Sequence, residues 1–234
     1  RVDRVLINGS GLGDYFLIGH EVLNAGTPNE EKHTDTVQVT HQRLNGDTPG
    51  SPRTVVVTLR GMDLDDPGQS IAHDEVTIDA LAGNDRILAG FIPNSTELTA
   101  GQILTARAVD RLTLIGGPGD DRIVGTPYAD TIVSGEGDDT VTGYAGVDIF
   151  VDPSGTDTLI EARDLNFSLT DTELAITGEE QSPINPEAFV SVDEVENVSR
   201  FERFELFGGG HGIRFSVADF TKVAGLNGTE GGDT

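Results

Sequence analysis

The sequence contains no cysteine, and it has few basic residues for its length of 234. Without cysteine the chain can form neither disulfide bonds nor thiolate metal sites. No apolar run is long enough to span a bilayer, so we expect no membrane span. No signal-peptide pattern follows Arg1, and we expect both ends to be boundaries within a larger protein.

The shortage of basic residues leaves a strongly acidic chain. Only 15 lysines and arginines face 40 aspartates and glutamates, which gives a formal net charge of −25. Such a chain repels phosphate backbones and anionic membranes, so we expect no nucleic-acid partner. The natural complement is a dissolved metal ion. With 30 glycines and 36% hydrophobic residues, the composition favours turn-rich β-structure.

Glycine and aspartate recur in five consecutive nine-residue units over residues 116–160. The units read GGPGDDRIV, GTPYADTIV, SGEGDDTVT, GYAGVDIFV and DPSGTDTLI. The sixth position is always aspartate: Asp121, Asp130, Asp139, Asp148 and Asp157. The eighth position is always apolar: Ile123, Ile132, Val141, Phe150 and Leu159. A fixed short period of this kind is typical of solenoid repeats.

Each part of the unit has a physical role. Glycine at the early positions permits positive φ, so six residues can form a tight curve with carbonyls on one side. The last three residues form a short strand with one buried side chain. Two units would complete one coil, so each unit would stack on the second unit after it. This predicts three neighbouring pairs: Asp121 with Asp139, Asp130 with Asp148, and Asp139 with Asp157.

Carboxylates stacked in this way need a cation between them. The ligands on offer are carboxylate and carbonyl oxygens, because none of the five histidines falls inside the units. Those histidines show no ligand spacing, and we expect surface or loop positions for all of them: His20, His33, His41, His73 and His211. Oxygen ligands in flexible loops favour Ca²⁺ over Zn²⁺ and Mg²⁺.

The units resemble the RTX (repeats-in-toxin) nonapeptide G-G-x-G-x-D-x-U-x, whose family forms a parallel β-roll with calcium in its turns. They depart from it at a few of the turn positions: Thr126, Tyr128, Tyr144, Asp152 and Pro153. In that family, one turn offers its second and fourth carbonyls and its aspartate. The turn two units later offers its first and third carbonyls and its own aspartate.

The resemblance therefore implies three calcium sites. The first would use Gly117, Gly119, Asp121, Ser134, Glu136 and Asp139. The second would use Thr126, Tyr128, Asp130, Gly143, Ala145 and Asp148. The third would use Gly135, Gly137, Asp139, Asp152, Ser154 and Asp157.

Fragments elsewhere echo the unit. Residues 9–16 and 81–87 keep the aspartate and the apolar position, and residues 227–234 begin another unit. Residues 208–215 keep the glycines but carry Ile213 in place of the aspartate. We interpret that segment as a solenoid corner without calcium.

The remaining sequence predicts strands rich in Val, Thr, Ile and Phe. The predicted strands are residues 2–7, 36–40, 54–60, 76–78, 112–115, 167–177 and 201–207. Short helices are predicted at residues 99–109 and 186–197.

We expect an all-β fold, a right-handed parallel β-solenoid or β-roll with calcium-bound turns and wider irregular coils on either side. Residues 1–110 would form irregular coils with RTX-like turns, residues 111–162 the RTX β-roll, and residues 163–234 further coils truncated at a repeat. The alternative is a separate β-sandwich at the N-terminus.

The resemblance implies a calcium-binding structural module of a larger secreted or cell-surface protein, such as an adhesin. Such chains are often exported unfolded by type I secretion and fold on calcium outside the cell. One alternative is a carbohydrate- or surface-recognition module of an adhesin or polysaccharide-modifying exoenzyme, with Tyr128 and Tyr144 stacking on sugars. An enzyme of the β-helical lyase type is disfavoured, because no cluster of His, Tyr and Arg stands out. We therefore expect no catalytic activity.

Overall fold

The computed structural model describes residues 4–23, 31–45, 48–49, 53–58, 75–90, 111–151, 154–181, 189–209 and 213–228. These residues form β-strands, turns and bends, and they contain no helix. In this part of the chain, accordingly, nothing qualifies as a membrane-crossing helix.

The described residues form 19 strands. In chain order they are β1 (Arg4–Ser10), β2 (Asp14–Leu23), β3 (Glu31–Asn45), β4 (Thr48–Pro49), β5 (Arg53–Thr58), β6 (Glu75–Leu81), β7 (Arg86–Leu88), β8 (Arg111–Pro118), β9 (Arg122–Val124), β10 (Asp130–Glu136), β11 (Thr140–Thr142), β12 (Ile149–Val151), β13 (Thr158–Arg163), β14 (Asn166–Leu169), β15 (Glu173–Gln181), β16 (Phe189–Asn197), β17 (Arg203–Gly208), β18 (Phe215–Val217) and β19 (Val223–Asn227).

Two mainly parallel sheets carry the repeats. A five-stranded sheet has the order β1-β6-β8-β10-β12, and all of its pairings are parallel. A ten-stranded sheet runs β19-β17-β13-β11-β9-β7-β2-β3-β4, and β5 pairs with β3. From β6 to β13 successive strands alternate between the two sheets, as two units per coil require. The fold is therefore all-β with mostly parallel sheets, which is consistent with a β-roll.

The apolar eighth position of the unit forms a column inside the larger sheet. Successive strand partners in the column are Phe16, Ile87, Ile123, Val141, Leu159 and Phe204. All six side chains are buried. Each contributes about 1.5–3 kcal/mol through removal from water, so the column explains why the coils stack in this register. In the other sheet, Ile132 pairs with Leu114 and Phe150 in the same way.

The N-terminal strands belong to the same two sheets as the repeats. β1 pairs with β6 in the five-stranded sheet, and β2 pairs with β7 in the ten-stranded sheet. The described N-terminal strands are therefore continuous with the sheets of the repeats. Unlike solenoid coils, β3 pairs antiparallel with β2, β4 and β5.

The C-terminal part differs from two predictions. Residues 167–177 were expected as one strand, but they form an antiparallel hairpin of β14 and β15. The buried positions change from odd numbers, Phe167 and Leu169, to even numbers, Leu174 and Ile176, and this change of parity requires a turn between them. The turn is held by Thr170, whose amide donates to the carbonyl of Glu173 at 2.9 Å.

The helix predicted over residues 186–197 is also wrong where the structure describes it. β16 pairs antiparallel with β15 along its whole length. Its β-branched residues Val190, Val192 and Val195 favour a strand, and pairing with β15 satisfies its backbone. The other predicted helix, residues 99–109, lies outside the described residues, as do residues 210–212 and 229–234 of the two C-terminal repeat-like segments.

Candidate metal centre

The turns between the two sheets share a backbone path that needs glycine. The second and fourth positions of two successive units in one row have φ of 108° at Gly117, 143° at Gly119, 125° at Gly135 and 129° at Gly137. A Cβ on Gly135 would lie 1.8 Å from the carbonyl oxygen of Gly117. The turns are therefore stacked backbone against backbone, which places the carbonyls of one turn beside the next turn.

The aspartates on one side of the coil form a continuous stack, the first turn row: Asp14, Asp85, Asp121, Asp139 and Asp157. The amide of each aspartate donates to Oδ1 of the next, over 2.5, 2.7, 2.8 and 2.6 Å along the row. The predicted neighbours Asp121–Asp139 and Asp139–Asp157, each 18 residues apart, are confirmed. All five carboxylates are buried.

The other side of the coil carries the second turn row, formed by Asp130 and Asp148. The amide of Asp130 donates to Asp148 Oδ1 at 2.8 Å, which confirms the third predicted pair. Thr126 stands where the RTX pattern has glycine, and its amide and hydroxyl donate to Asp130 Oδ2 at 2.6 and 2.9 Å. Thr126 thus holds this carboxylate in the turn.

The turns bring carboxylate and carbonyl oxygens of neighbouring units close together. Asp121 Oδ2 and the carbonyl oxygen of Ser134 lie 2.3 and 2.4 Å from the point that a Cβ on Gly116 would occupy. In the second row, Asp130 Oδ2 and the carbonyl oxygen of Gly143 are arranged in the same way. They lie 2.8 and 2.5 Å from the point that a Cβ on the first glycine of the second unit would occupy. The aspartate carboxylate and the first-position carbonyl are therefore neighbours in both rows, and the ligand sets themselves stay a prediction.

Several carboxylate oxygens in the rows have no hydrogen-bond partner. They are Oδ2 of Asp85, Asp121, Asp139 and Asp148, and each is buried. Burial and, to a lesser extent, the neighbouring Asp85 and Asp139 charges raise the pKa of Asp121 to about 8. Burial likewise raises the pKa of Asp139 to about 6. A buried acid with an unpaired oxygen beside other acids is the environment that a divalent cation stabilises.

The third-position carbonyls of the predicted ligand sets also reach the first row. The carbonyl of Glu136 accepts the amide of Gly119 at 2.7 Å, and the carbonyl of Ser154 accepts that of Gly137 at 3.1 Å. Each carbonyl keeps a second lone pair for a metal ion. Ala145 lies half-buried in the turn between β11 and β12. Asp152, a predicted ligand of the third site, lies outside the described residues.

Each predicted calcium site combines two aspartates with several backbone carbonyls, and among the described residues side chains alone do not form such a site. Within the described ranges, no group of three or more histidine, aspartate or glutamate side chains is arranged as a metal site by itself. A metal ion in the turns would therefore need backbone carbonyls among its ligands.

The N-terminal members of the first row were noticed in the sequence only as echoes of the repeat. Asp14 Oδ2 and the carbonyl oxygen of Ala80 lie 2.7 and 2.5 Å from the Cβ point of Gly9, so this turn repeats the arrangement of the later ones. Leu81 has φ of 76° at the position that glycine takes in the repeats. In the sequence, these turns can be identified from the glycines and aspartates of residues 9–16 and 81–87.

Residues at the two ends of the first row were missed. At one end, His41 Nε2 lies 2.8 Å from Asp14 Oδ1, and its ring stacks on Phe16 at 4.7 Å. The prediction that His41 occupies a surface or loop position is wrong, because it lies half-buried in β3. At the other end, the amide of Asp157 donates to Glu202 Oε2 at 3.0 Å. Neither His41 nor Glu202 falls in the nine-residue pattern.

The two tyrosines of the repeats are not exposed platforms. Tyr128 and Tyr144 are both half-buried. The Cγ of Tyr144 lies 3.3 Å from the Cβ point of Gly90, so the ring packs on that backbone, and burial raises the pKa of its hydroxyl.

The two mainly parallel sheets and their acid-lined turns are consistent with a β-roll type of repeat protein. Residues 115–150 match the family model of the RTX calcium-binding nonapeptide repeat in four copies, so the chain carries a region of RTX calcium-binding repeats. This region is a calcium-binding module. The fifth unit, residues 152–160, extends beyond the match. Neither a search of curated proteins nor a search of solved structures gave a match.

Proposed function

We propose that this chain is a calcium-binding structural module of a larger secreted or cell-surface protein, and that it folds when calcium binds outside the cell. The observation that carries the proposal is the first turn row, in which buried aspartates hydrogen-bond in series and Oδ2 of Asp85, Asp121 and Asp139 is left without a partner. Ionised carboxylates in such a row repel one another, and calcium between them reverses the sign of the interaction.

Charge and entropy make folding depend on the metal. The chain carries a formal net charge of −25 and many glycines, so ordering it without a counter-ion is costly. Calcium neutralises the rows and uses their free oxygens, so its binding free energy becomes folding free energy. Calcium is scarce in the cytosol and plentiful outside. Export of an unfolded chain, by a type I route, followed by folding outside the cell fits this dependence.

We assign the calcium to the three ligand sets predicted from the resemblance and to the equivalent turn at Gly9, Asp14 and Ala80. The meeting of Asp121 Oδ2 with the Ser134 carbonyl supports the first set, and the equivalent contact of Asp130 supports the second. We further propose that the two parallel sheets are faces of one right-handed coil. The division of the chain at residues 110 and 162 stays a prediction.

Circular dichroism of the whole chain tests the proposal. In metal-free buffer at about pH 8, where the buried acids ionise, we expect a largely disordered spectrum, and in millimolar Ca²⁺ at the same pH we expect β-structure. Millimolar Mg²⁺ is the control, and we expect it to restore little structure because it demands stricter octahedral geometry. Identical spectra with and without calcium would rule out calcium-dependent folding.

Carbohydrate recognition, the alternative function, gains no support from the position of its candidate residues. Both tyrosines expected to stack on sugars are half-buried, and Tyr144 packs on Gly90. We therefore advance the calcium-dependent structural role alone.

A further inference from the structure

The second turn row ends differently from a simple repeat. After Asp148 the next carboxylate beside the row is Glu196 of β16, which lies close enough to the amide and the carboxylate of Asp148 for both to act on its pKa. A second glutamate, Glu161 of β13, accepts the amide of Gly143 through Oε1 at 2.8 Å. Beyond Asp148, where the second turn row would continue with another repeat turn, two glutamates from outside the matched repeats are found instead.

Asp148, Glu161 and Glu196 form an acidic trio that is closed to water. Their exposed fractions are 5%, 1% and 3%. One oxygen of each, Asp148 Oδ2, Glu161 Oε2 and Glu196 Oε2, is buried without a hydrogen-bond partner. Asp148 Oδ2, Phe150 Cζ and Glu161 Oε1 lie 2.3, 3.1 and 3.2 Å from the Cβ point of Gly143, so the two carboxylates meet there beside the edge of the Phe150 ring.

The basic residue near the trio is already engaged. The guanidinium of Arg163 bonds to Glu180 at 2.7 Å and to Glu194. Its single charge is therefore shared by two other carboxylates. Burial and mutual repulsion raise the pKa of Asp148 to about 10 and that of Glu196 to about 7, and they also raise that of Glu161. Arg163 lowers the pKa of Glu161 and Glu196 by less than burial raises it, so the three buried acids are compensated only in part.

We propose that Asp148, Glu161 and Glu196 bind a further calcium ion, which closes the C-terminal end of the second turn row. The proposal rests on the proposed function, because Asp148 also belongs to the second predicted site. In the part of the chain that the structure describes, no three acidic side chains are placed as a complete metal site, so binding at the trio requires its side chains to move closer together. All candidate ligands are oxygens, which selects calcium over zinc.

The ion would join the repeats to the C-terminal sheet. Glu196 lies on β16, which belongs to the sheet of β14, β15, β16 and β18 and contacts β12. Glu161 lies on β13 in the ten-stranded sheet. One ion held by both glutamates and by Asp148 therefore links the last turn of the second row to two different sheets.

A crystal structure of the full chain with calcium tests the site directly. We expect a calcium peak in the anomalous difference map bonded to carboxylate oxygens of all three residues, at about 2.3–2.6 Å. Peaks in the turn rows with none at the trio would overturn the inference while leaving the proposed function intact. Absence of calcium from the rows as well would contradict both.

Counting bound calcium by equilibrium dialysis gives a second test. We expect Glu161→Gln and Glu196→Gln each to bind one ion fewer than the native chain. Glu205→Gln, which alters an exposed glutamate on β17, should bind the native number. If Asp139→Asn lowers the count and both trio variants keep the native count, only this inference is wrong. Should a trio variant fail to fold in calcium, the anomalous map of the native chain decides.

Discussion

Asp139 has acidic neighbours on both sides, whereas Asp130 has one. Asp139 accepts the amide of Asp121, and its own amide donates to Asp157, so it is shared by two predicted sites. Loss of a charged contact costs about 1.5–3 kcal/mol. We therefore expect Asp139→Asn to raise the calcium midpoint of folding about tenfold or more, and by more than Asp130→Asn does.

Asparagine keeps the Oδ1 acceptor, so this comparison isolates charge from hydrogen bonding. The midpoint is measured by circular dichroism during calcium titration. Equal shifts for the two variants would show that Asp139 is not shared between sites.

Gly135 tests whether the close stacking of turns is essential. Its φ of 125° is unfavourable for alanine, and a Cβ would lie 1.8 Å from the carbonyl oxygen of Gly117. We expect Gly135→Ala to lower the free energy of unfolding in calcium by about 2 kcal/mol or more. Gly11→Ala is the matched control, because no atom lies within 4 Å of the Cβ point of Gly11. Equal stability of the two variants in urea denaturation would contradict the stacked-turn geometry.

At the scale of the element, each short strand is held by one apolar side chain in the column. Leu159 of β13 is fully buried, and its strand partners are Val141 and Phe204. We expect Leu159→Ala to cost about 2–5 kcal/mol in urea denaturation with calcium present. Ile149→Ala on the edge strand β12 is the control, because Ile149 is 60% exposed, and we expect a change within about 0.5 kcal/mol. A comparable loss in both variants would mean that the column does not determine the stacking.

The alternation of strands between two sheets could be predicted because its cause is local. A nine-residue period with one apolar residue per unit specifies a turn, a strand and the stacking partner 18 residues later. The hairpin of β14 and β15 and the strand β16 were not predicted. Their pairing depends on antiparallel contacts with each other, and the repeat carries no information about segments outside its phase.

At the scale of the whole molecule, the ends of the rows were the least predictable part of the site. Asp14 and Asp85 are 71 residues apart in the chain, yet they are direct neighbours in the first row. Glu196 and Glu202 reach the rows from β16 and from the segment before β17. Sequence spacing cannot indicate such contacts, because long connections of different lengths separate the partners. Glu161 is the exception, since it stands where a sixth unit would begin.

The buried acids can bind either protons or calcium, so proton binding and calcium binding are thermodynamically linked. Without metal, burial raises the pKa of Asp139, Asp85 and Asp121 to about 6, 7 and 8, above the ordinary value of 3.8. A raised pKa in the folded state means that the folded chain binds protons more tightly than the unfolded chain does. This contribution to stability is fully present below pH 3.8 and is lost as the pH rises through the range 6 to 8.

We therefore expect the metal-free chain to be less stable at about pH 9 than at about pH 5, and calcium to reverse that order because it replaces the protons. At about pH 5 protonation keeps the buried acids neutral, so we expect the metal-free chain to retain structure there, and calorimetric titration with calcium at that pH, in two buffers of different ionisation enthalpy, should show proton release. Asp121→Asn should release fewer protons, since it removes the acid with the highest pKa of these three. Calcium binding without proton release at that pH would mean that the carboxylates of the rows are already ionised in the metal-free state.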